Sequence, residues 1–283
     1  MSPRPVAVRG VCALVLGATL AACGSAAVPE STGPGQLPVG SLPPGPATAP
    51  LDTSYLTSRT TVPIAADDRI GRRVAGNRVL AIGDSVMAST SSRYSGDMCE
   101  ALVPLGWQVE VAAETGRFVD FGTRVLDRRL DIGWDVGVVL LGNNYRGDVD
   151  DFRRELTSII DRFAPAPVVV LTVSEFTASR IEVNAAILEI AAVRPDVLVV
   201  DWAAVTAQDP SLTGSDRLHL TTEGRLALAR EIALALGEAP RGPGDCLPSQ
   251  FVDDSSGSVT GTTTTVGSSD PSTETTDRKP GNG

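Results

Sequence analysis

Five near-continuous apolar runs of strand length recur through the middle of the chain: Val79–Ile82, Val109–Ala113, Val136–Leu141, Val168–Val173 and Val197–Val200. A strand covered on both faces reads this way, because neither side of its pleat meets water. Helix-like segments separate the runs. Asp148–Ala164 carries Phe152, Leu156, Ile159, Ile160 and Phe163 at near-helical spacing, and Ser179–Val193 and Thr222–Leu236 are rich in alanine and leucine with charges on one side. Thr221 offers an N-cap, Glu223 an acidic first turn, and Gly237 follows the last periodic residue. The first crossover, Met87–Leu105, is weakly patterned. Alternation of strand and helix predicts an α/β three-layer sandwich around a parallel sheet.

The flanks have a different composition. Arg4 and Arg9 precede an apolar run, Val11–Ala22, which is shorter than the roughly 20 residues of a membrane-spanning helix. A basic start and a short apolar run read as a secretory signal over residues 1–22. The run ends in Leu20-Ala21-Ala22-Cys23, which resembles a bacterial lipobox and makes Cys23 the expected lipidation site. Cleavage by ordinary signal peptidase, with Cys23 incidental, is the alternative. Residues 23–72 are rich in Pro, Gly, Ala, Ser and Thr and read as a tether. Residues 73–248 form the expected domain of roughly 175 residues, enough for one sizeable core. Residues 249–283 read as a disordered tail, with Ser, Thr and Gly concentrated over 257–277.

The net charge of −10 and the absence of any Lys/Arg-rich face argue against a nucleic-acid partner. The chain is expected at the extracytoplasmic face of the cell membrane, lipid-anchored, or else secreted. On that route only Cys99 and Cys246 of the four cysteines stay in the domain, and an oxidising compartment favours a disulfide between them. Two unpaired thiols are the alternative. No Cys-x-x-Cys pair and one histidine in the chain speak against a structural metal site.

Parallel sheets bind ligands at the carboxyl ends of their strands. The first run ends in Gly83-Asp84-Ser85, the second in Glu114-Thr115-Gly116-Arg117, and the third in Gly142-Asn143-Asn144. After the fifth come Asp201-Trp202 and then Asp216-Arg217-Leu218-His219. A serine hydroxyl needs a base before it attacks a carbonyl. His219 is the only histidine available, and Asp216 stands three residues before it, within reach of its Nδ1–H. Candidate oxyanion donors are the amides of Ser85 and Gly116 and the side-chain amide of Asn144. Arg117, Tyr145 and Arg217 stand beside these motifs as candidate substrate contacts, and Trp202 suits core or site equally.

Gly83-Asp84-Ser85, Gly116, Gly142-Asn143-Asn144 and Asp216-x-x-His219 resemble the four motif blocks of the SGNH (GDSL-like) hydrolases, in order, within residues 77–237. A narrower likeness, through Gly83–Met87, Gly116-Arg117, Asp201-Trp202 and the Asp-x-x-His-Leu-Thr run, is to SGNH domains associated with envelope O-acyltransferases. The resemblance implies a flavodoxin-like five-stranded parallel sheet of order 2-1-3-4-5. It implies Ser85 as nucleophile, His219 as base, Asp216 as its orienter, and Ser85, Gly116 and Asn144 as the oxyanion site, with no metal or organic cofactor. Two positions depart from the family pattern: Tyr145 follows the third block, and Arg217 stands where glycine is common.

The expected activity is that of a monomeric serine esterase or acyltransferase. Its substrates are O-acyl esters, acetyl above all, of envelope glycans or glycolipids, and for transfer a membrane acyltransferase would supply the acyl group. A non-catalytic envelope-binding lipoprotein and a thioesterase or lipase are the alternatives.

Overall fold

The computed structural model describes residues 65–260. The expected signal segment, Cys23, most of the expected tether and residues 261–283 lie outside the described residues.

Six strands form one all-parallel sheet: β1 (Arg78–Gly83), β2 (Gln108–Ala113), β3 (Val136–Leu140), β4 (Val168–Leu171), β5 (Val197–Val200) and β6 (Asp245–Cys246). Their order is β5-β4-β3-β1-β2-β6. The 2-1-3-4-5 order implied by the motifs is present, and the five-stranded expectation is corrected to six. The two-residue β6 pairs with β2 at the far edge, through Gln108 with Asp245 and Val109 with Cys246. It falls in a stretch with no strand periodicity, so nothing local announces it.

The interior strands are apolar because helices cover both faces. α3 (Phe121–Arg129), α4 (Val149–Phe163) and α5 (Ser179–Ala192) pack side by side, while α2 (Asp97–Leu102) packs against α7 (Thr222–Leu236). α4 buries the five apolar residues of its expected stripe. Its N-cap is Asp148, whose carboxylate accepts from the Asp151 amide at 2.9 Å. Thr221 caps α7 by accepting from the Gly224 amide at 3.1 Å. The weakly patterned first crossover resolves into α1 (Ser85–Ala88) and α2, each too short to show a helical period. The short α6 (Trp202–Gln208) follows β5, and its Trp202 is buried in the core.

Both expected domain boundaries move outward. Ile70, placed in the tether by composition, is fully buried. Residues 249–260, placed in the tail, pack onto the domain, and Phe251 is only 3% exposed with its ring edge-on to Phe121. Cys99 on α2 and Cys246 on β6 form a disulfide with a Cα–Cα separation of 5.5 Å. It closes a loop of 147 residues and ties the start of the domain to the segment that follows the last helix.

A cross-link over so long a loop restricts the unfolded chain strongly. Replacing both cysteines by serine should lower the unfolding free energy by about 3–5 kcal/mol. Urea titrations of the oxidised wild type against the double variant measure this, and equal midpoints would refute it.

Candidate active site

The register of the central strands makes the site. Gly83 at the end of β1 stands level with Ala113 of β2 and Leu140 of β3. The residues that follow therefore leave the sheet at one rim, beside the point where the connections diverge. A Cβ at Gly83 would lie 2.2 Å from the Met87 Cβ, so glycine permits the tight passage from β1 into α1.

Ser85 is the first residue of α1 and is 4% exposed. Its Oγ lies 3.1 Å from His219 Nε2. His219 Nδ1 lies 2.7 Å from Asp216 Oδ2. A carboxylate at Nδ1 must accept, so that nitrogen carries the proton and Nε2 is free to take one from Ser85. The other Asp216 oxygen accepts from the amides of Leu218 and His219, at 3.0 and 3.1 Å. Burial alone would raise the Asp216 carboxyl. The hydrogen bonds from the His219 ring and these two amides outweigh it and hold the group below its ordinary range, charged at neutral pH.

The expected oxyanion donors lie around the same rim. The Ser85 amide begins α1, where no helical acceptor precedes it. The Gly116 amide has no hydrogen-bond acceptor among the described residues. Asn144 donates one Nδ2 hydrogen to the Arg117 carbonyl at 3.1 Å, which orients the amide and leaves its second hydrogen for a ligand.

Of the three candidate substrate contacts, each is engaged within the protein. Arg117 is pinned between Glu114 and Asp253, at 2.6 and 2.8 Å. Tyr145 packs edge-on against Phe152, and burial, reinforced by the nearby Glu182, pushes its hydroxyl up to about 12. Arg217 takes a left-handed backbone with φ of 57°, and its guanidinium donates to the Phe176 carbonyl at 2.7 Å. It clips the Asp216–His219 loop to the segment after β4, a role a glycine at this position would lack. Next to Arg117 a groove of about 630 Å³ opens between α3 and residues 250–253, with Arg124 and Arg128 on one side.

A buried polar layer beneath Ser85 was not anticipated. Asp84 is fully buried; its Oδ1 accepts from the Val86 amide and from Asn143 Nδ2, both at 3.1 Å. The Asn143 carbonyl in turn accepts from Arg180 of α5, a 9%-exposed arginine between the rings of Phe176 and Tyr145. The turn that carries Asn144 is thus gripped from two directions. The one local sign of Arg180 in the sequence is an arginine inside the buried face of α5.

No family model matches the sequence, and no curated protein matches it. Solved structures do. The lipase/acylhydrolase from Enterococcus faecalis is 19% identical over 55% of this chain and 93% of its own, with a TM-score of 0.50. The catalytic domain of peptidoglycan O-acetyltransferase A from Streptococcus pneumoniae is 21% identical over 58% and 93%, at 0.48. A family 3 carbohydrate esterase from Clostridium thermocellum is 15% identical over 56% and 93%, at 0.46.

Burial pushes the Asp84 carboxyl up to about 6, and the bonds from Val86 and Asn143, with the nearby His219, oppose this only in part. The folded chain therefore holds this proton more tightly than the unfolded chain, where an aspartate titrates near 4. The group's contribution to stability is complete below about pH 4 and is lost as the pH rises through about 6. The stability of Asp84→Asn relative to wild type should rise by about 3 kcal/mol between about pH 4 and pH 7. Paired urea titrations across that range test this; a pH-independent difference excludes the buried-charge account. With its four motif blocks gathered at the rim of a parallel sheet, and with its likeness to the Enterococcus faecalis structure, the domain has the SGNH-type α/β hydrolase fold.

Proposed function

We propose that this chain is a serine esterase or acyltransferase that acts on O-acyl esters, acetyl above all, of cell-envelope glycans or glycolipids, from a lipid anchor at Cys23 on the extracytoplasmic face. The observation that carries the reaction class is the unbroken line Ser85 Oγ–His219 Nε2, Nδ1–Asp216 Oδ2, at 3.1 and 2.7 Å.

In this mechanism His219 takes the Ser85 proton as Oγ attacks the ester carbonyl. Asp216 stabilises the imidazolium that forms. The developing oxyanion is met by the Ser85 and Gly116 amides and the Asn144 side chain, donors already fixed before the reaction. Collapse of the tetrahedral species expels the alcohol, which takes the proton from His219. Water or a sugar hydroxyl then attacks the acyl-serine with His219 again as base; collapse breaks the acyl–Oγ bond, and Ser85 Oγ takes the proton back from His219. Water gives hydrolysis and the sugar gives transfer.

The polar character of the neighbouring groove supports a hydroxylated alcohol partner over a long lipid chain. Arginines and carboxylates line most of it; of its apolar residues Phe121 and Phe251 are buried and Val252 is exposed. The lipobox-like sequence before Cys23 and the disulfide support an extracytoplasmic location.

Ser85→Ala and His219→Ala should each lower kcat for p-nitrophenyl acetate by at least about 10³-fold while leaving the melting temperature within a few degrees. Asn144→Ala should lower it by about 10²-fold, the usual loss for one oxyanion donor. A fluorophosphonate probe should label wild type at Ser85 and fail to label His219→Ala. Absence of labelling in the folded wild type would instead favour a non-catalytic binding protein.

A further inference from the structure

We infer that residues 249–260 form a strap that builds the oxyanion site, with Asp254 as its positioning residue; the inference rests on the proposed serine chemistry. The strap leaves the disulfide-anchored β6 and runs on beside the carboxyl end of β2. There its contacts concentrate on the loop 114–117. Asp254 Oδ1 accepts from the Thr115 amide at 3.0 Å, immediately before Gly116. The same carboxylate takes both Nε and Nη2 of Arg93, at 2.9 and 3.0 Å, and the Tyr94 hydroxyl at 2.6 Å. Arg93 also donates to the Ala113 carbonyl at 2.6 Å, so the carboxylate and the end of β2 are locked together. One residue earlier, the Asp253 amide donates to buried Glu114 at 3.1 Å, and its carboxylate accepts from Arg117 at 2.8 Å.

Beyond Asp254 the strap crosses Gly116 itself. A Cβ on Gly116 would lie 2.6 Å from the Ser256 carbonyl oxygen, and the residue also takes a φ of 68°. Glycine is needed twice over, for the backbone conformation and for the crossing chain. The loop so held bears on two of the three proposed oxyanion contacts. One is the unpartnered Gly116 amide; the other is indirect, because the Arg117 carbonyl orients the Asn144 amide. Asp254 touches neither Ser85 nor His219 among its hydrogen-bond partners, so it acts on the reaction only through the loop.

The test compares full-length wild type, Asp254→Ala and Asp254→Asn with p-nitrophenyl acetate, with amide hydrogen exchange of the 114–117 region as an independent readout. Asp254→Ala should lower kcat by about 10²-fold, comparable to losing an oxyanion donor, with KM within about threefold. Exchange at 115–117 should quicken while β1 and β3 stay protected. Asp254→Asn keeps an acceptor for the Thr115 amide and should recover about tenfold of the loss, which a general packing defect would not do; if the alanine variant does not fold, the asparagine variant against wild type carries the comparison. Unchanged kcat in a folded variant, a change confined to KM, or unchanged exchange at 115–117 overturns the strap assignment while the serine mechanism stands. A folded wild type with no Ser85-dependent turnover overturns the proposed function and, with it, this inference.

Discussion

Parallel register is the constraint on which the site depends. Because β1, β2 and β3 end level at Gly83, Ala113 and Leu140, three loops leave the sheet within reach of one reacting atom. The switch of connection direction between β1 and β3 opens the space between those loops. A shift of one residue along β1 would carry Ser85 away from His219, whose own position is set from the other end of the chain by the turn before α7. Ser85 and His219 thus come from segments 134 residues apart and meet only when the whole sheet is formed.

What could be read beforehand follows from which forces are local. Strand and helix alternation reflects burial of contiguous residues, and it located five strands and the three long helices to within a residue or two. The short α1, α2, α3 and α6 span too few turns to establish a period, and β6 is two residues long. The five candidate catalytic and oxyanion residues stood out because serine chemistry requires particular side chains at strand ends. The structure brings them to one rim. Arg117 and Arg217, read as candidate contacts to a substrate, make ion-pair or carbonyl contacts that hold loops in place. Their distant partners, Asp253 and Phe176, lie 136 and 41 residues away and leave no periodic trace; only Glu114, the second partner of Arg117, is local.

Polar burial beneath Ser85 shows the cost of holding such loops. Asp84 and Arg180 are both taken from water, yet they do not pair directly. Asn143 stands between them, giving its amide to the carboxylate and its carbonyl to the guanidinium. One Asp84 oxygen and the Arg180 Nε remain buried without partners. An apolar filling of the same volume would avoid that cost, since desolvated polar groups without partners oppose folding. What the polar layer provides is direction: hydrogen bonds fix the Asn143 backbone in a way that contact packing, with its weak angular dependence, does not.

The same reasoning explains why the rim is held by charged groups on its other side as well. Composition placed residues 249–260 in a disordered tail because Ser, Thr and Gly offer little apolar area. Phe251 supplies one buried anchor, and the disulfide at Cys246 shortens the free chain before it. With the chain already tethered, the entropy of ordering twelve residues is reduced, and a few charge-assisted hydrogen bonds to Asp253 and Asp254 suffice to seat it. The carboxylates work because they gather Arg93, the Thr115 amide and Arg117, groups from two different loops, at the end of β2. Register sets where the rim lies, and rim and strap then hold each other through these contacts. A segment with little apolar area of its own is thus seated by Phe251, by the cross-link before it and by directed hydrogen bonds.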